Sequence, residues 1–72
     1  MEQINEIKIT TEYITLGQFL KFVSLIDEGW EAKIYLQENE ILVDGKVENR
    51  RGRKLRGGEI VEAEGKRFKV AR

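Results

Sequence analysis

The 72-residue sequence contains no cysteine, no histidine and no proline. Without cysteine there are no disulfide bonds and no thiolate nucleophiles, and without either cysteine or histidine the usual zinc ligands are missing. The lack of histidine also removes the most common general base. Because proline is absent, the turns must be formed by glycine, asparagine and aspartate. The core is therefore expected to be held together by apolar packing alone.

Long apolar segments are also missing. The longest apolar stretch, around residues 22–26, is interrupted by Ser24 and is far too short to span a bilayer. The first ten residues, MEQINEIKIT, alternate in charge and have neither the apolar run of a signal peptide nor the arginines of a transit peptide. We therefore expect a soluble, cytoplasmic protein with one domain over residues 1–72 and no membrane contact.

Charge is balanced overall but unevenly distributed along the chain. Residues 1–45 carry three basic and nine acidic side chains, whereas residues 46–72 carry ten basic and four acidic ones. Five of the seven positions from Arg50 to Arg56 are basic. Crowded positive charges repel one another unless an anion relieves them, and arginine pairs with phosphate through two N–H groups. The loop indicates a nucleic-acid backbone as its ligand; the alternative is a solvated loop neutralised by the acidic half of the chain.

The hydrophobic pattern predicts an α+β fold. Ile7 and Ile9 alternate with charged residues, as in a half-buried strand. TLGQFLKFVSLI has the apolar spacing of an amphipathic helix whose stripe reaches as far as residue 26, and Thr15 with Gln18 forms a capping-box sequence at its start. DEGWEAKIYLQEN predicts a second helix, closed by Asn39 in the left-handed conformation.

Four short strands are expected after the second helix. ILVDGKV predicts a hairpin with Asp-Gly in a primed turn. GGEIVEAEGKRFKV predicts two further strands that meet at Gly65-Lys66, with Phe68 and Val70 on one face and Arg67 and Lys69 on the other. The order of strand, two helices and four strands is that of an α+β domain.

Catalysis has no support in the sequence. Glu59, Glu62 and Glu64 lie on or beside one predicted strand, and we interpret them as a solvated outer face of the sheet rather than a cation site. DGKV lacks the Ser or Thr and the upstream glycine of a phosphate loop. We therefore expect no enzymatic activity, no cofactor, no metal and no small-molecule substrate.

The aromatic side chains allow two interpretations. Trp30, Phe19 and Phe22 are candidate platforms for stacked bases, but their helical spacing favours a place in the core. Recognition of single strands by stacking is accordingly less favoured. The role of Tyr13, in the loop before the first predicted helix, stays open.

EAKIYLQENEILVDGKVENRRGRKLRGGEIVE, residues 31–62, resembles the core of the RNA-binding domain family named after ribosomal protein S-four, the alpha-L motif. The matching pieces are the Ala32-Lys33 pair, the hairpin at residues 41–45 and the strand at residues 58–61, while LGQFLKF resembles the family's first-helix Leu-Asp-x-Phe-Leu. The resemblance covers about residues 14–64, and the whole chain is especially similar to the stand-alone members often called YaaA-type. The chain departs from the family pattern at Thr15, at Gln18 and at residues 27–28, where the family usually has Arg, Asp and Ser-Arg.

The resemblance implies two antiparallel helices packed on a small, mostly antiparallel sheet with an extra N-terminal strand. It also implies a basic groove for structured RNA, often ribosomal RNA, in which Lys33 and the loop after the hairpin contact the phosphate backbone. The predicted RNA-binding residues are Lys21, Lys33, Lys46, Arg50, Arg51, Arg53, Lys54 and Arg56. We expect Lys33 and the loop arginines to border one continuous surface.

The resulting functional hypothesis is a monomeric, non-catalytic module that binds structured RNA, with ribosomal RNA or the ribosome as the expected partner. Duplex RNA is recognised by its shape and through phosphate and 2′-hydroxyl groups, which suits clustered arginines. The alternative is a protein-interaction domain that docks an acidic partner or associates with itself through its charge asymmetry.

Overall fold

The computed structural model describes residues 4–72. No targeting signal is expected at residues 1–10, and the first three of these lie outside the described part. Two helices and seven strands form in that part, which confirms the α+β class. Their bounds in chain order are β1 Ile4–Lys8, β2 Ile14–Thr15, α1 Leu16–Phe22, α2 Glu31–Glu38, β3 Leu42–Val43, β4 Lys46–Val47, β5 Lys54–Leu55, β6 Ile60–Ala63 and β7 Lys66–Ala71. No helix in residues 4–72 is long and apolar enough to cross a membrane.

Five of the strands form one sheet in the order β1-β7-β6-β3-β4. The pairs β7–β6, β6–β3 and β3–β4 are antiparallel, whereas β1 runs parallel to β7 at the edge. The expected mostly antiparallel sheet with an extra N-terminal strand is therefore found, as a mixed sheet. A separate antiparallel pair, β2 with β5, brings residues 14–15 against residues 54–55 and so ties the start of α1 to the basic loop.

Helix α1 begins as its sequence predicts and ends earlier than its apolar stripe suggests. Thr15 Oγ1 accepts a hydrogen bond from the N–H of Gln18 at 3.2 Å, and Gln18 Oε1 accepts one from the N–H of Thr15 at 3.0 Å, which confirms the capping box. The helix ends at Phe22 because Ser24 adopts a left-handed conformation with φ 64°. Ile26 is nevertheless buried.

Helix α2 does not end in the predicted way. Asn39 has an extended backbone, with φ −130° and ψ 136°, so the left-handed cap expected there is wrong. Its side-chain amide donates instead to the carbonyl of Tyr35 at 3.1 Å, as does its backbone N–H at 2.8 Å. Since β3 follows after only a few residues, the chain leaves the helix directly in an extended conformation.

Both hairpins of the large sheet have primed turns. Asp44 and Gly45 have φ 52° and 82°, as the Asp-Gly sequence predicts. The second turn falls at Glu64 and Gly65, with φ 50° and 74°, one residue earlier than the predicted Gly65-Lys66. Glu64 is thus a turn residue rather than part of a strand face.

The core lies between the helices and the inner face of the sheet. Phe19 packs edge-on against Phe68, with 5.7 Å between the ring centroids. Phe68 and Val70 are both buried, which confirms that they share one face of β7. The placement of Phe22 and Trp30 in the core is wrong, because their side chains are 60% and 67% exposed. The buried apolar residues are Ile9, Leu16, Phe19, Leu20, Ile26, Ala32, Tyr35, Leu36, Ile41, Val43, Leu55, Val61, Ala63, Phe68 and Val70.

Candidate nucleic-acid interface

The basic loop docks on the first turn of α1 through its backbone. The N–H of Leu16 donates to the carbonyl of Arg53, and the N–H of Gly17 donates to the carbonyl of Arg51, both at 2.8 Å. A Cβ atom on Gly17 would lie 3.4 Å from both the Cβ of Ala32 and the carbonyl oxygen of Arg51. The loop, α1 and α2 therefore meet at Gly17, where there is room for little more than a methyl group.

An open cavity of about 440 Å³ lies at this junction. We call it the cationic groove; its lining residues are Thr15, Gly17, Gln18, Lys21, Gly29, Ala32, Arg51 and Gly52. The charged side chains among them, Lys21 and Arg51, are both positive and exposed. Because no carboxylate lines the groove, it presents a positive surface to an anion.

A second positive concavity adjoins the cationic groove at Gly52. This loop depression, of about 360 Å³, is lined by Arg50, Gly52, Arg53 and Lys54. The groove and the depression together hold most of the basic loop, and neither has an acidic lining residue. Clustered cations of this kind are typical of surfaces that bind phosphate groups.

Glu48 binds the side chains of two loop arginines, Arg50 and Arg53. Its buried carboxylate accepts hydrogen bonds from Arg50 Nε at 3.0 Å and Nη2 at 3.1 Å, from Arg53 Nη1 at 3.0 Å, and from the backbone N–H of Arg50 at 3.1 Å. The hydrogen bonds from Arg50, helped by that from Arg53 and opposed by burial, lower the pKa of Glu48 to about 2. The loop is therefore neutralised in part within the chain, by Glu48 of the basic half at Arg50 and Arg53, and by Glu12 of the acidic half at Arg56.

The end of the basic loop lies over Tyr13, which is 38% exposed. Lys54 Nζ is 4.9 Å and Arg56 Cζ is 5.6 Å from the centroid of the Tyr13 ring, distances at which cations are attracted to an aromatic face. Arg56 also lies 3.6 Å from the carboxylate of Glu12, in a pair with both side chains exposed. Such a pair contributes little to stability, since solvent screens it.

A larger open cavity of about 720 Å³ adjoins the cationic groove on the side of α1. We call it the aromatic cavity; its lining residues are Thr11, Glu12, Tyr13, Ile14, Gln18, Lys21 and Phe22. It shares Gln18 and Lys21 with the cationic groove, so the two concavities are neighbours.

The predicted RNA-binding residues fall into several groups. Lys21 and Arg51 line the cationic groove, Arg50 and Arg53 are held by Glu48, and Lys54 and Arg56 lie at Tyr13.

The other two predicted residues lie outside these concavities. Lys33 is exposed on α2 directly after the groove residue Ala32, and Lys46 is exposed on β4, but neither lines any of the three concavities. Their contact with RNA stays a prediction, as does the single surface joining Lys33 to the arginines.

Two of the three glutamates on or beside β6, Glu59 and Glu62, have hydrogen-bonding partners. Glu59 accepts hydrogen bonds from the N–H groups of Arg56 at 2.8 Å and Gly57 at 2.7 Å, and Glu62 pairs with Arg67 at 2.7 Å. Within residues 4–72 no group of three or more acidic, histidine or cysteine side chains is placed to hold a metal ion.

Glu48 is a residue of the candidate interface that the sequence pattern does not single out. Its position two residues before Arg50 and five before Arg53 is the only feature of the local sequence that suggests ion pairs with them. The burial of its carboxylate depends on tertiary packing, which the local sequence does not show.

Known proteins give an independent comparison. A family model described as S4 domain matches residues 7–71. The probable ribosome maturation protein RlbA of Bacillus subtilis (strain 168) is 56% identical over 61 residues, which make up 85% of this chain and 86% of that protein. The resemblance noted in the motifs of the helices and the hairpin is thereby confirmed: the chain belongs to the S4 domain family.

Proposed function

We propose that this protein is a non-catalytic, cytoplasmic RNA-binding module that binds structured ribosomal RNA during ribosome maturation. The family and the name of the Bacillus subtilis relative support this role. The observation that carries it is the cationic groove, where Lys21 and Arg51 meet without a lining carboxylate.

The groove suits a phosphate backbone better than it suits a base. Its lining combines two cations with the polar side chains of Thr15 and Gln18 and has no aromatic ring. Phosphate and 2′-hydroxyl groups of a folded RNA are the partners that such side chains recognise. Lys33 and Lys46 are proposed as outlying phosphate contacts.

The ion pairs of Glu48 are compatible with this role. A guanidinium has five N–H donors, so an arginine held by a carboxylate keeps donors for phosphate. The Arg50 side chain remains 74% exposed although it is paired. We infer that Glu48 fixes the direction of Arg50 and Arg53, which reduces the conformational entropy lost when they bind RNA.

Affinity purification from cell lysate, with and without RNase, tests this function. The tagged full chain should recover ribosomal RNA, and the charge-reversal variant Lys21→Glu/Arg51→Glu should lose it. The matched variant Lys66→Glu/Lys69→Glu, which carries the same charge change on β7, should retain it. Protein partners that survive RNase, or a salt-sensitive dimer in sedimentation without bound RNA, would instead support a protein-interaction domain.

A further inference from the structure

The aromatic cavity is larger than the cationic groove, and its apolar wall has no part in the phosphate contacts described above. Its wall is mainly apolar, formed by the Tyr13 ring, Ile14 and Phe22. Phe22 is the last residue of α1 and is 60% exposed, in a chain with only six aromatic side chains. Leaving so much aromatic surface in water is unfavourable, and an exposed apolar concavity commonly marks a binding site.

The charges around the aromatic cavity indicate which class of ligand fits it. Lys21 is on its wall, and Lys54 and Arg56 lie against the Tyr13 ring. Glu12 is the acidic residue of the lining, and Arg56 lies 3.6 Å from its carboxylate. The surroundings are therefore net positive, which favours an aromatic group attached to an anion over an uncharged or cationic one.

The position of the aromatic cavity next to the cationic groove restricts the class of ligand further. Gln18 and Lys21 belong to both linings, so a chain that lies in the groove lies next to the aromatic cavity. An unpaired nucleotide offers what both concavities need, a phosphate for the cations and a flat π face for the rings. The amide oxygen of Gln18 is used in the capping box, and its NH2 group supplies the donors for the polar edge of a base.

We propose that the aromatic cavity binds one unpaired nucleobase of the RNA whose phosphate backbone occupies the cationic groove. This inference rests on the function proposed above and specifies its substrate: a helix with a bulged or terminal unpaired base rather than a continuous duplex. Phe22 and Tyr13 form the stacking surface, and Lys21 holds the phosphate between the two concavities.

Two RNA hairpins with the same stem test the proposal, one fully paired and one with a single unpaired 2-aminopurine in the stem. The wild-type protein should bind the bulged hairpin about tenfold more tightly, the effect of stacking one base, and should quench the 2-aminopurine fluorescence. Phe22→Ala should lose both the preference and the quenching while binding the paired hairpin as the wild type does. Phe22→Trp, which restores an aromatic face, should retain both.

The controls separate this proposal from RNA binding itself. Arg51→Ala should weaken binding of both hairpins by the same factor and leave the preference intact. Circular dichroism should show an unchanged fold for Phe22→Ala, because the side chain is exposed. If the wild type binds both hairpins equally, or Phe22→Ala keeps the preference and the quenching, the nucleobase site is overturned while RNA binding stands. If neither hairpin binds in a salt-dependent way, the proposed function itself fails.

Discussion

Two arginines of the basic loop, Arg50 and Arg53, donate hydrogen bonds to the buried carboxylate of Glu48. Arg51, which lies between them, lines the cationic groove instead. Residues of one type within a four-residue stretch therefore have different surroundings. The sequence predicts that the loop is basic, but it does not predict this division, because the division depends on the burial of a single glutamate by tertiary packing.

Glu48→Gln should lower the free energy of unfolding at neutral pH by roughly 1–3 kcal/mol, because it replaces charge-assisted hydrogen bonds with weaker neutral ones. The folded-state pKa of Glu48, about 2, lies below its ordinary value of 4.5. The contribution of Glu48 is therefore fully present above about pH 5 and is lost as the pH falls from about 4.5 to about 2. Urea unfolding of both proteins across this range measures it, and the difference between them should shrink toward the acid end.

Glu6→Gln provides the matched control for that measurement. It removes an exposed carboxylate from β1 and should change the free energy of unfolding by less than about 0.5 kcal/mol at neutral pH. A Glu48→Gln variant as stable as the wild type at pH 7, or a difference that grows on acidification, would show that Glu48 does not anchor the loop.

At the scale of secondary-structure elements, the candidate interface lies where the basic loop contacts α1 and α2. The capping box at Thr15 and the Asp-Gly hairpin follow from local sequence, so both are predictable. The end of α1 and the exposure of Phe22 and Trp30 are not, because they depend on which faces the short helices present to the sheet. The pairing of β2 with β5 is not predictable either. It joins segments far apart in the chain, and strands of two residues are too short to show a hydrophobic alternation.

Substitutions at Gly17 test how tightly these elements meet. Gly17→Ala should keep or raise the free energy of unfolding, by up to about 1 kcal/mol, because alanine favours the helix and its Cβ would make ordinary contacts at 3.4 Å. Gly17→Leu should lower it by about 1–3 kcal/mol, because the longer side chain must displace Arg51 or Ala32. Thermal unfolding of both variants measures this. A marked loss of stability in Gly17→Ala would mean that the junction has no room for even one methyl group.

At the scale of the whole molecule, the fold converts an uneven charge distribution along the chain into a local site. The basic half supplies the loop, whereas the largely acidic half supplies both helices and one of the two groove cations, Lys21. The sequence predicts the charge split, the family motifs, and the order of the two helices and the five strands of the large sheet, but it misses β2 and β5. It does not predict that Lys21 and Arg51 share a groove, because that depends on the docking of the loop onto α1.

The central claim is that RNA phosphates bind at the cationic groove, and the salt dependence of hairpin binding tests it most directly. Each neutralised phosphate contributes about 0.7–0.9 to the slope of log K against log salt concentration. Lys21→Ala/Arg51→Ala should therefore weaken binding and flatten this slope by about 1–2, compared with the wild type. The matched pair Lys66→Ala/Lys69→Ala removes the same charge from exposed positions of β7. It should leave the slope within about 0.5 of the wild-type value, since no phosphate contact is lost.

All four substituted side chains are exposed, so the two double variants should unfold within about 0.5 kcal/mol of the wild type per substitution, and the comparison reports binding alone. The slope should fall clearly more for the Lys21/Arg51 pair than for the Lys66/Lys69 pair in the same titration. Equal slopes, or a larger loss for the β7 pair, would contradict the central claim and would mean that the RNA binds away from the cationic groove.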